Sequence, residues 1–250
     1  MPYEIVYGKA EDGGQYKVLA ATEEYRGNIE KSFPTIPKLW YPGDTKIIDK
    51  PIVFCYTKGE KCKAILSCIK WSPGDYFAQH LIFEEKDDLP TLLPAGPAWL
   101  VKRRGFYIDN KQLTTWSNRS EDDKKKTEEY DWKPIIRPSD YCIGSDNKKL
   151  EKHRDTIKAI ANAWNGQDVQ AKYVLLFDPN EFKDADRLDF LYDLYARIEK
   201  IKRWNYQFCT FDGQRGGQPT RLAWDIVFVA ADDLKTLDFY KNYIEKDLRK

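Results

Sequence analysis

The sequence predicts an α+β protein of mixed or antiparallel sheets with packed helices, arranged as two modules. Three observations predict it. Short segments rich in β-branched and aromatic residues crowd the first hundred positions, a composition suited to a pleated, half-buried surface. A dense charged run, Arg119 to Lys133, then interrupts the apolar pattern. From Leu150 onward apolar residues recur at helical spacing, with a strand of Val and Leu set among them.

Tyr3 to Tyr7 and Tyr16 to Ala21 read as the first strands, separated by the loop Glu11 to Gly14. A helix is expected near Thr22 to Ser32, then a loop punctuated by Pro34, Pro37 and Pro42. Ile52 to Tyr56 has strand composition, Gly59 marks a hairpin turn, and Cys62 to Trp71 is the return strand. Ser72-Pro73-Gly74-Asp75 is a turn, because proline sets one dihedral and glycine permits a positive one. Phe77 to Glu84 follows as a further strand.

The charged run cannot bury enough apolar surface to offset the entropy of ordering it. This places a strand-rich module at residues 1–118, a charged linker or loop at 119–140 and an α+β module at 141–250. In the second module Leu150, Ile157, Ile160, Ala161 and Trp164 form a helical stripe that would pack on a sheet. Lys172 to Asp178 reads as a buried strand, and Leu188, Leu191, Leu194, Tyr195, Ile198 and Ile201 as the inward face of a second helix. Asn205 to Phe211 and Leu222 to Ala230 are expected to form a hairpin around Asp212 to Thr220, with a last helix from about Leu234 to Leu248.

Composition narrows the function classes. Forty-one Lys and Arg stand against 40 Asp and Glu, a net charge of +1, so the balance predicts neither a polyanionic partner nor a membrane surface. The N-terminal residues lack a basic region followed by a long apolar stretch, and no window approaches the roughly 18 apolar residues of a spanning helix. The expectation is a soluble, cytoplasmic protein. Five cysteines, an odd number without a pair two residues apart, fit reduced core thiols in place of a disulfide framework or a zinc site. Asn118-Arg119-Ser120 matches a glycosylation pattern by chance in a polar loop.

No catalytic set, cofactor site or metal site is legible. A phosphate-binding loop, with glycines and a lysine opening a helix, is missing. Val174 to Asp178 has the shape of an apolar strand with a magnesium-binding aspartate, yet without that loop Asp178-Pro179-Asn180 reads as the turn leaving a strand. Gly213 to Gly217 reads as a flexible loop. His153, between Lys152 and Arg154, reads as a solvated helix position. His80 stands in the apolar strand Phe77 to Phe83, where an imidazole needs a hydrogen-bond partner or a chemical role. A structural histidine and the centre of a small hydrolase or nucleotide-binding enzyme are the two readings. Trp99, Arg103, Arg104, Phe106 and Tyr107 form an aromatic and basic group that packs, or else clamps a partner. RNA or DNA binding by Lys102 to Tyr107 is a further reading, which the charge balance disfavours. Trp116, Trp132, Trp204 and Trp224 read as core.

Several short motifs occur in an order that resembles the GTPase-associated adaptor proteins of bacterial conflict systems. For the N-terminal module these are Tyr7, Ala20-Ala21-Thr22, His80-Leu81-Ile82, Leu89-Pro90 and Gly96-Pro97-Ala98-Trp99-Leu100. The middle module of that family is similar to Tyr173 to Val229, with Trp204, Phe208-Cys209-Thr210-Phe211 and Arg221-Leu222-Ala223-Trp224 after the helix Leu188 to Ile201. The turn before His80 is shorter than the family pattern, a basic residue before that strand is missing, and the long C-terminal region of larger relatives has no counterpart. The resemblance implies a non-enzymatic adaptor that binds a protein partner encoded nearby, in a prokaryotic defence locus and conceivably beside a type III CRISPR system.

Overall fold

The computed structural model describes residues 3–9, 16–21, 52–58, 62–72, 75–84, 89–104, 147–166, 171–212 and 224–250. Five strands come from the first part of the chain: β1 (Tyr3–Lys9), β2 (Tyr16–Ala21), β3 (Val53–Thr57), β4 (Cys62–Ser72) and β5 (Asp75–Glu84). Two helices follow, α1 (Leu89–Leu92) and α2 (Pro97–Arg104). A 3₁₀ segment, η1 (Lys148–His153), leads directly into α3 (Arg154–Asn165). Then come β6 (Tyr173–Phe177), α4 (Asp184–Arg197), the 3₁₀ segment η2 (Lys200–Asn205), β7 (Phe208–Cys209), β8 (Ile226–Ala230), α5 (Leu234–Phe239) and β9 (Ile244–Asp247).

The nine strands among the described residues join one mixed sheet in the order β2-β1-β5-β4-β3-β7-β8-β6-β9. The first five pair antiparallel, whereas β7, β8, β6 and β9 run parallel to one another. The two halves meet at an antiparallel seam between β3 and β7. The sheet is therefore continuous between the two predicted modules. The predicted linker, 119–140, lies outside the described residues, as does the helix expected at 22–32.

The burial follows from composition. Residues 64–69 of β4 and 78–83 of β5 are buried on both faces, which suits their near-continuous apolar runs. In α3 the stripe Ile157, Ile160, Ala161 and Trp164 is buried, as its spacing predicts. Trp164 stacks on Tyr206 with ring centroids 4.1 Å apart, and its Nε1 donates to the Ala171 carbonyl at 2.8 Å. Tyr195 and Tyr206 donate their hydroxyls to the carbonyls of Tyr206 and Trp164, so these large rings enter the core without losing polar partners.

Four expectations change. Phe208–Cys209 and Ile226–Ala230 are not a hairpin: they pair in parallel, because β7 takes β3 as its antiparallel neighbour and β8 takes β6. The last helix stops at Phe239, and Ile244–Asp247 adds a parallel edge strand to β6. Ile201 is not on the inward face of α4, since that helix ends at Arg197 and the 3₁₀ segment turns Ile201 outward. His153 is buried instead of solvated, with its ring edge-to-face against Phe182 at 5.5 Å. Burial and the neighbouring Lys152 charge push its pKa down.

Candidate functional site

Register places His80 of β5 directly opposite Ser67 of β4 and Ile5 of β1. The pleat turns directly opposed residues to the same face, and the Ser67 hydroxyl and His80 Nδ1 are 2.7 Å apart. The imidazole is fully enclosed (0% exposed), and burial lowers its pKa to about 3. It is neutral at physiological pH, with its apolar strand neighbours around it. A serine beside a neutral histidine has the components of nucleophile and base, but among the described residues no opening reaches this pair. The contact gives the Ser67 hydroxyl and His80 Nδ1 a mutual hydrogen-bond partner inside the sheet.

The same row continues outward. Ser67 stands opposite Cys55 of β3, and Cys55 opposite Cys209 of β7. The polar row Cys209-Cys55-Ser67-His80 thus crosses the seam between the two halves of the sheet.

Of the predicted aromatic and basic group, Trp99 is the member whose surroundings are described. Trp99 is buried at 5% exposed, because α2 packs on α4; it is a core residue and not an exposed anchor. Arg103 and Arg104 end α2, while Phe106 and Tyr107 lie outside the described residues. Lys102, beside them, forms an ion pair with Asp189 of α4 and lies over the Tyr192 ring at 4.6 Å. Asn147 extends this contact: its amide donates to Asp186 at 2.9 Å and to Asp189 at 3.1 Å. Lys149 and the Lys183 amide also hold Asp186, and these donors keep its carboxyl below the usual range in spite of burial. This network ties α2 and η1 to one face of α4.

A cleft of about 390 Å³ opens outside the carboxyl ends of β6 and β9, the end at which parallel sheets receive ligands. Lys148, Lys149, Lys152 and Arg249 line it together with Asp178, Glu181 and Phe182. Part of that charge is committed. Lys149 pairs with Asp186, and Arg249 grips Asp247 through Nε at 2.9 Å and Nη2 at 2.8 Å, which holds the Asp247 carboxyl at about 2. Lys148 and Lys152 have no ion-pair partner among the described residues. Asp178 accepts from the Asn180 amide at 2.8 Å, the turn that its sequence predicts. The cleft therefore presents both signs of charge. Its lysines were not singled out by sequence, since Lys148, Lys149 and Lys152 meet Arg249 only through the sheet.

Exposed aliphatic surface is the other feature that sequence did not reveal. Leu92 (56% exposed) and Ile201 (71% exposed) stand on α1 and η2, two elements in mutual contact. The Arg203 guanidinium and Trp204 Nε1 donate from η2 to the Pro94 and Leu93 carbonyls at 2.9 and 2.8 Å, fixing that contact. Leu234, Phe239 and Ile244 are exposed at the β9 edge of the molecule.

Among the described residues no group of three His, Cys, Asp or Glu could hold a metal ion, and no helix is long and apolar enough to cross a membrane. Compared with models of known families and with curated proteins, the chain matches none.

Proposed function

We propose that the chain is a non-enzymatic protein-interaction module, an adaptor subunit that holds a regulator or effector in a prokaryotic defence system. The supporting observation is the pair Leu92 and Ile201, two aliphatic side chains presented to solvent by elements that side-chain hydrogen bonds lock together. Rigid exposed apolar residues lose little entropy on docking and gain by leaving water. The defence setting rests on the motif resemblance alone. The test is recovery of the tagged protein from its native host, beside a Leu92→Asp, Ile201→Asp double variant of unchanged circular dichroism. A stoichiometric partner of the wild type that the variant fails to retain supports the reading. Retention by the variant moves the interface elsewhere, and a wild type that emerges alone sinks the adaptor role.

A second reading, ligand binding, is favoured by the cleft outside β6 and β9, where Lys148 and Lys152 have no ion-pair partner among the described residues. It transfers the nucleotide-binding alternative from the enclosed His80 to this cleft. Equilibrium dialysis against nucleoside triphosphates decides it: binding that a Lys148→Ala, Lys152→Ala variant loses supports the cleft, and no binding at low salt removes it.

A further inference from the structure

We infer, building on the ligand-binding reading above, that the cleft outside β6 and β9 recognises a ribose phosphate group: one wall takes the single phosphate of a mononucleotide and the other its adjacent hydroxyls. The two walls come from different elements. Lys148, Lys149 and Lys152 stand on η1, whereas Asp178 and Glu181 belong to the turn that leaves β6. The cleft they line, about 390 Å³, lies near the lower end of the roughly 300–1,000 Å³ of small-molecule sites. Both walls are fastened to one carboxylate of α4. Asp186 accepts from the Asn147 amide and Lys149 Nζ on the side of η1, each at 2.9 Å, and from the Lys183 backbone amide at the end of the turn, also at 2.9 Å. Their separation is therefore set before a ligand arrives, which lowers the entropy lost on binding.

The opposite charges of the two walls do not pair across the cleft. Lys149 is held by Asp186, and its contact with the turn is to the Glu181 carbonyl at 3.4 Å and not to the carboxylate. Glu151 pairs with Arg154 at 3.6 Å, and Arg249 with Asp247 at 2.8 Å. Among the described residues Lys148, Lys152, Asp178 and Glu181 form no ion pair. Lysine offers donors alone and an ionised carboxylate acceptors alone. A ligand that satisfies both walls thus carries an anionic acceptor at one end and hydrogen-bond donors at the other. Phe182 and Leu248 close the floor, 6% and 3% exposed. They show too little apolar surface for a base to stack on, so recognition falls to the polar walls.

Charge selects one phosphate over three. A phosphate monoester carries about −1.5 to −2 charges at pH 7, which Lys148 and Lys152 match. The ribose beside it presents neighbouring hydroxyls, and carboxylates at the ends of parallel strands accept hydrogen bonds from such hydroxyls in dinucleotide-binding folds. A triphosphate brings further negative charge into the same volume as Asp178 and Glu181, where like charges repel.

Calorimetric titration of the full chain at low salt tests this with AMP, ATP, the 2′,3′-dideoxy form of AMP, ribose 5-phosphate and inorganic phosphate. AMP is expected to bind about tenfold more tightly than ATP and than its dideoxy form. Lys148→Ala combined with Lys152→Ala should weaken all five ligands. Glu181→Ala should weaken AMP and ribose 5-phosphate by a similar factor and leave the dideoxy form unchanged. Ribose 5-phosphate as tight as AMP identifies a sugar phosphate as the ligand, and weaker binding identifies a nucleotide; both support the site. ATP at least as tight as AMP overturns the single-phosphate assignment and leaves the nucleotide reading of the cleft standing. Inorganic phosphate or the dideoxy form as tight as AMP overturns the role of the acidic wall. Binding of neither AMP nor ATP removes the ligand reading itself. The comparison of ligands uses the wild type alone, so it decides the matter even where a variant fails to fold.

Discussion

Gly96 leaves room for Arg203 and for little else. Its φ of +87° belongs to the left-handed region, and a Cβ built on it would stand 2.9 Å from the Arg203 Cβ. Arg203 cannot retreat cheaply, because its Nε and Nη2 donate to the Ile198 and Ala196 carbonyls at the end of α4 and its Nη1 to Pro94. Gly96→Ala therefore combines backbone strain with a clash against an anchored side chain, and is expected to cost about 1–3 kcal/mol. Urea denaturation measures it, and an unchanged midpoint would show that the turn relaxes freely.

Lys102 and Asp189 connect the helix after the antiparallel strands to the helix between β6 and β7. Both side chains are partly exposed, so solvent screens the pair, although the Tyr192 ring under the ammonium adds to it. Lys102→Met and Asp189→Asn are each expected to lower stability by about 1 kcal/mol. A double-mutant cycle should return a coupling of similar size that shrinks in high salt. Strictly additive losses would mean that the pair contributes only through its separate contacts.

Most strands were legible because Val53, Ile65, Ile69, Leu175 and their neighbours favour a pleated surface that is buried wherever it pairs. The parallel pairing of β7 with β8 was not legible. Phe208 and Cys209 give only two residues of pattern, and their neighbours β3 and β8 are chosen by contacts remote in sequence. Ile244 to Asp247 reads as helix for a related reason: a short edge strand of mixed charges resists self-pairing, but locally resembles the polar face of a helix. Composition around His153 is charged, and only tertiary closure by Phe182 and Phe190 makes it a core residue. At the candidate sites, a buried role for His80 was among the readings, whereas the exposure of Leu92 and Ile201 and the opposition of Cys55 and Cys209 depend on pairings that no local pattern encodes.

Trp164 is central to the packing of α3, stacked on Tyr206 and edge-on to Tyr173 and Tyr195. Trp164→Ala removes this contact area and leaves a cavity, with an expected loss of about 3–5 kcal/mol. Tyr206→Phe keeps the stack but deprives the Trp164 carbonyl of its hydroxyl donor, and should cost about 1 kcal/mol. Chemical denaturation separates the two. Equal losses would mean that the stack itself contributes little.

His80 sets a pH dependence whose direction follows from its enclosure. In the folded protein burial lowers its pKa from 6.5 to about 3, whereas the unfolded chain binds a proton near the ordinary value. Between these two values the unfolded state holds more protons, so stability rises with pH through that window. The contribution of the neutral imidazole is complete above about pH 6.5 and is lost as pH falls toward 3, by up to roughly 5 kcal/mol. His153 shifts in the same direction, and native carboxylates add their own acid sensitivity, so the comparison must be with His80→Asn. That variant retains a hydrogen-bonding group for Ser67 but cannot titrate. Its urea midpoint should fall less steeply from pH 7 to 4 than that of the wild type. Parallel profiles would mean that the His80 imidazole is protonated without loss inside the sheet, and that burial is not what holds it neutral.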